Sequence, residues 1–114
     1  MADQATGKSV EQLKVERTTA KRLFTRLVNS ITRTHEDMSE EELRDSFNKL
    51  KIKAEKVMGA NEDVKAGFIA ELEAELDKDE YAVLTEQQKA DLGRTSDECE
   101  MKLKETRSLI QEAL

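Results

Sequence analysis

Apolar residues recur through this chain at steps of three and four. Between Ser39 and Leu76 they read Leu43, Phe47, Leu50, Ala54, Val57, then Val64 and Phe68, with Asn61 in the slot between Val57 and Val64. A seam of this kind, built on a and d positions, belongs to a helix packed along its length on other helices. After Phe68 the steps to Leu72 and Leu76 are four and four. That departure from the heptad relaxes the supercoil locally. Charged side chains cover the remaining faces.

Two further helical patterns flank this one. Val10, Leu13, Ala20, Phe24, Leu27 and Ile31 fall on one face at 3.6 residues per turn, with Leu23 and Val28 beside them. Ser9 with Gln12 offers a capping box, so a first helix is predicted from Val10 to about Thr34. Toward the other end, Tyr81, Leu84, Gln88, Leu92, Thr95, Cys99, Leu103, Thr106, Ile110 and Ala113 make a more polar third seam. Thr85 with Gln88 is another capping box, so this helix begins at either Glu80 or Glu86. Between the outer helices, Met38-Ser39-Glu40-Glu41-Glu42-Leu43 combines a cap, a box and a hydrophobic staple, and the second helix must start there.

Where the second helix ends is open. Gly59 and Asn61 resemble a stop and a restart, yet the seam keeps its phase through them. A single helix to about Leu76 is favoured, and about 37 residues of it would span about 55 Å. The connection at His35-Glu36-Asp37 is short, which makes the first two helices antiparallel. Asp77-Lys78-Asp79 reads as the second turn, and Met1–Lys8 as a flexible polar lead-in. The expectation is an all-α, antiparallel three-helix bundle or coiled coil. It occupies residues 9–114 as one domain, with the second and third helices longer than the first.

Composition agrees with this. The 114 residues contain no proline and only 4 % aromatics, so there is little from which to build a sheet. Charged residues make up 39 % and the net charge is −6. The charge is uneven, at +4 over Met1–His35, −8 over Glu36–Glu80 and −2 over Tyr81–Leu114. A basic first segment beside an acidic second one suits helix pairing. A net acidic chain suits nucleic acid poorly, because it repels phosphate. No apolar run approaches the ~20 residues of a membrane span. The lone Cys99 excludes an internal disulfide, and a cytoplasmic setting is expected. There is no signal-peptide core, and Ala2 stands where myristoylation needs glycine.

Candidate chemistry is sparse. His35-Glu36-Asp37 are adjacent on a turn and poorly placed to converge on one metal ion. Paired carboxylates are plentiful, but a catalytic pair needs a partly dry cleft, and slim helices offer none. No catalytic, metal or cofactor residue is expected. Cys99 lies on a seam among Asp97, Glu98 and Glu100, which reads as an inert thiol. Arg22, Arg26 and Arg33 fall within about 40° on the first helix, opposite its apolar stripe, with Lys14 and Lys21 nearby. This basic strip is a solvated face, a contact for an acidic protein partner, or a site for RNA or an anionic membrane. No outward aromatic accompanies it to stack bases. Asn61 either fixes register from its seam slot or marks a place where the seam opens to water.

Leu13-Lys14-Val15-Glu16-Arg17 and Lys21-Arg22-Leu23-Phe24-Thr25-Arg26-Leu27 resemble the N-terminal helical region of Pao/BEL-type retrotransposon polyproteins. An acidic turn, a long leucine helix and a closing charged helix follow in both, so the likeness covers Val10 to Leu114. It implies a Gag-like region, of a retroelement or a host gene derived from one, that contributes to self-assembly without catalysis. Ala5-Thr6-Gly7 lacks the aspartate of a retroelement protease motif, and the cysteines of a zinc knuckle are missing. Self-association is therefore expected, with two rivals: an adaptor domain that binds an unrelated protein partner, and a nucleic-acid-binding domain using the basic face of the first helix. The contact is expected at Val64, Phe68, Leu72 and Leu76, where the second helix outruns the first and its apolar strip lacks a third helix to cover it.

Overall fold

A computed structural model describes residues 7–77 and 80–114. The expected lead-in therefore lies largely outside the described residues, as do Lys78 and Asp79 of the expected second turn. Three helices appear in chain order, α1 (Val10–Thr34), α2 (Glu40–Ala74) and α3 (Glu86–Ala113). A short 3-10 turn, His35–Asp37, joins the first two. Among the described residues there is no strand, and the helices pack against one another as an elongated bundle of 59 × 27 × 17 Å.

Local chemistry sets the helix starts. Ser9, Ser39 and Thr85 each accept a bond from the backbone N–H three residues on. Gln12, Glu42 and Gln88 return the favour to the cap N–H at 2.8 to 2.9 Å. All three capping boxes are complete, which satisfies donors that a helix start otherwise leaves open. The third box decides between the two expected starts of α3, which begins at Glu86. Tyr81 and Leu84 consequently belong to the connection rather than to a helical seam, and Tyr81 is 89 % exposed. Glu75–Asp77 and Glu80–Thr85 lie outside the helices, more than the three residues expected for the turn.

The seam of α2 continues through Gly59 as one helix. A side chain at Gly59 or Gly93 would meet nothing within 4 Å, so neither glycine marks a close approach. Gly67 does. A Cβ there would lie 2.9 Å from Leu13 Cδ1 and 3.1 Å from Val10 Cγ2, so the missing side chain lets the start of α1 settle on α2.

That contact overturns one expectation. Val64 and Phe68 do not lie uncovered. Both are buried, at 0 % and 5 % exposure, against Val10 and Leu13, with Leu84 and Leu92 alongside. The tight turn pairs α1 and α2 closely enough to carry Val10 and Leu13 out to this level, so helix length alone overstated the overhang. Leu72 and Leu76 remain half-buried.

The buried apolar residues form two clusters. The larger holds Phe24, Val28, Ile31, Leu43, Leu50, Ala54, Val57, Cys99 and Ile110. The smaller holds Val10, Leu13, Val64 and Phe68. On each of α1 and α2, the residue between the clusters is polar and buried: Arg17 on the first and Asn61 on the second.

Candidate functional site

Two places carry organised polar chemistry, one inside the bundle and one on its surface. Inside, Arg17 lies on the buried face of α1, four residues after Leu13 and seven before Phe24. Its side chain is only 8 % exposed. Nη1 donates to Asp91 Oδ2 at 2.9 Å and Nη2 to Oδ1 at 3.1 Å, a bidentate pair from α1 to α3. Nη1 also donates to Asn61 Oδ1 on α2 at 2.9 Å. Asn61 Nδ2 in turn donates to the Leu92 carbonyl at 3.0 Å. One arginine thus ties all three helices at a single level. Among the described residues no buried side-chain polar atom is left without a partner.

Hydrogen bonding from Arg17 holds the Asp91 carboxyl below the ordinary carboxylate range. Partial burial works against this, and the charges of Arg17, Lys14 and Arg94 add to it. The aspartate therefore stays ionised and acceptor-only. Every strong donor facing it is a fixed cation, so the group is set up to hold the helices together and has no proton to exchange at neutral pH.

Geometry rules out one of the two readings of Asn61. The seam does not open to water there, since the residue is 6 % exposed and bonded on both ends of its amide. The sequence alone does not pair Arg17 with Asp91. The visible signal was a charged residue on an apolar stripe at the same level as a polar seam residue on the next helix.

On the surface, α1 and α2 leave a groove of about 570 Å3, lined by Leu23, Arg26, Leu27, Ser30, Lys49, Ile52 and Lys53. Its floor is apolar, with Ile52 53 % and Leu23 38 % exposed. Its charged residues are all cations. Among the described residues, none of Arg26, Lys49 and Lys53 has a carboxylate within 4.0 Å. The basic first helix does pair with the acidic second one, as expected, but among the described residues no ion pair joins them. In mid-bundle α1 presents a cation to cations of α2. The ion pairs that α1 makes between helices run instead to α3, as Arg17–Asp91 and Lys21–Glu98.

The expected basic strip is exposed at Arg22, Arg26 and Arg33. Only Arg26 belongs to the groove, and it also joins Arg22 on a shallower patch with Thr18, Lys21, Thr25 and Asn29. His35 turns its Nδ1 back to the Thr32 carbonyl at 2.9 Å and serves the end of α1. No cluster of three metal-ligating residues exists among the described residues. Cys99 is buried beside the Ala54 carbonyl, and desolvation raises its pKa, with the charge of Glu100 adding to the effect. No described helix is long and apolar enough to cross a membrane. No protein-family profile matches the chain, and no curated protein or solved structure is significantly similar to it.

Proposed function

We propose that this chain is a non-catalytic helical protein–protein interaction module that works by self-assembly. The observation that carries this reading is the α1–α2 groove, an apolar floor rimmed by cations that no described carboxylate of the chain neutralises. An apolar strip with an unbalanced rim favours a protein surface of opposite charge. The interior chemistry supports the same reading. The perturbed carboxylate, Asp91, serves to hold three helices together, and the cysteine is buried with a raised pKa.

The resemblance of Leu13–Arg17 and Lys21–Leu27 to the Gag-like region of Pao/BEL-type polyproteins supplies a setting in which such a module assembles with its own copies. A single buried thiol suits a reducing compartment, and we place the protein in the cytoplasm on that ground. The contact proposed here differs from the one expected at Val64 and Phe68, because those two side chains are spent inside the chain's own core.

Light scattering over a concentration series is the test. The expected result is a mass rising above the 13.0 kDa of one chain at micromolar concentration. A single-chain mass up to a few hundred micromolar would overturn self-assembly. Salt-sensitive retention on RNA, abolished by changing Arg22, Arg26 and Arg33 to glutamine, would replace it with nucleic-acid binding.

A further inference from the structure

The cationic groove has a complementary surface on the same chain, at a place where it cannot serve its own groove. Between Glu71 and Val83 the sequence holds six acids and one lysine. Glu71, Glu73 and Glu75 are exposed at the end of α2, and Asp77 and Glu80 are exposed beyond it. The Asp77 N–H donates to Glu80 Oε1 at 3.0 Å and the Glu80 N–H to the Asp77 carbonyl at 3.1 Å. Just after this turn stand Tyr81, 89 % exposed, and Val83, 69 % exposed. These two are the most exposed large apolar side chains among the described residues. An acidic segment carrying an aromatic and a branched apolar residue matches the groove in both respects. Carboxylates would face Arg26, Lys49 and Lys53, and Tyr81 would reach the floor of Leu23, Leu27 and Ile52.

The segment cannot turn back onto the groove of its own chain. Leu84, next to it, packs at the level of Val10 and Leu13. The groove centres near Leu27, about 21 Å further along α1 at 1.5 Å per residue. Leu84 holds the segment by one end, and α2 holds it by the other.

We infer that the α1–α2 groove of one copy receives the acidic end of α2 and Tyr81 of a second copy. This rests on the self-assembly reading and names the contact that makes it. Two unlike surfaces meet, so a twofold pair closes both contacts at once, whereas a head-to-tail arrangement leaves one groove and one segment free. The closed pair is the expected species. Coulomb attraction at an exposed rim is screened, so association should weaken as salt is raised.

Charge exchange between two variants tests the contact. One variant carries Arg26→Glu, Lys49→Glu and Lys53→Glu; the other carries Glu71→Lys, Glu73→Lys and Glu75→Lys. Each alone should fall from twice the chain mass to once, with helical content by circular dichroism unchanged. Mixed in equal amounts, the two should recover the doubled mass, because each groove then meets a segment of opposite charge. Tyr81→Ser, at a side chain in open solvent, should weaken the parent's association at least tenfold without touching its fold.

If the parent stays at the mass of one chain, the inference falls together with self-assembly. If the parent doubles and both charge variants still double alone, self-assembly stands and this contact is overturned. If only the groove variant dissociates, while the segment variant and Tyr81→Ser stay doubled, the groove is the interface and its occupant is not this segment. Failure of the mixture to recover, with both variants helical, also overturns the pairing.

Discussion

The two apolar clusters differ in how they are held. Around Leu50, α1, α2 and α3 meet through aliphatic and aromatic side chains, and Ile31, Leu43, Leu50 and Val57 are at most 2 % exposed. Toward Val10 the core narrows to four residues, and its cover comes partly from Leu84 on a connection. Between them runs the Arg17–Asp91–Asn61 layer. Apolar packing is non-directional, so in the larger cluster a slide by a turn breaks no specific bond, although it disturbs the close packing. The polar layer differs. A helix shifted by one turn would bury a guanidinium and an amide without partners, at a cost of several kcal/mol. The large cluster supplies most of the burial, and the polar layer's hydrogen bonds join all three helices at one level.

The comparison breaks most sharply by deletion in each half. Leu50→Ala should destabilise the bundle by about 2–5 kcal/mol, measured by denaturant titration, because the site is fully enclosed. Asp91→Ala should cost about 2–4 kcal/mol, below the usual loss for a broken buried pair, because a quarter of this side chain is wet. Replacing all three polar residues together, as Arg17→Met, Asn61→Leu and Asp91→Leu, should restore parental stability or exceed it. Amide exchange in that variant should be faster through α3, as register is loosened.

Acid sharpens the contrast. The Asp91 carboxyl has a lower pKa folded than unfolded, so its contribution is complete above the unfolded value and is lost as pH falls through the folded one. The stability gap between the parent and Asp91→Asn should therefore be full at neutral pH and shrink below the ordinary aspartate value of 3.8. A gap that is constant with pH would show that Arg17 does not favour the ionised form.

Smaller effects separate the glycines. Gly59→Ala and Gly93→Ala face open space and should each stabilise by about 1 kcal/mol, since alanine is the better helix former. Gly67→Ala gains the same propensity but pushes on Leu13 and Val10, and should be destabilising by about 1 kcal/mol. Thermal midpoints of the three variants give the order directly. Ser39→Ala, which removes one half of a capping box, should cost about 0.5–2 kcal/mol at the apolar end.

Much of this molecule follows from spacing and local chemistry. Leu43, Leu50, Val57 and Val64 recur at heptad steps, and such a recurrence has few outlets other than helix packing. Ser9, Ser39 and Thr85 cap as they do because the acceptor and the reciprocal side chain lie three residues apart in the chain. The continuity of α2 through Gly59 follows from the same seam, since tertiary burial on both sides outweighs the loss of about 1 kcal/mol at one glycine.

What depends on distant residues was not legible in this way. Arg17 and Asp91 lie 74 positions apart, and Arg17 and Asn61 lie 44 apart. Arg17 and Asn61 each interrupt an apolar stripe, but Asp91 alone resembles a charged residue on a helix surface. Only the antiparallel pairing brings their levels together and makes burial affordable through mutual hydrogen bonds. The cover over Val64 and Phe68 was equally hidden, because it depends on Gly67 letting α1 approach and not on helix length. The cationic groove arises the same way, from Arg26 on one helix meeting Lys49 and Lys53 on another. The chain's own periodicity and caps therefore determined which segments are helical, where the first two begin and which faces turn inward. Register, the polar layer and the surface groove were decided only in three dimensions, because they are relations between helices, and no local pattern encodes a relation between residues that far apart.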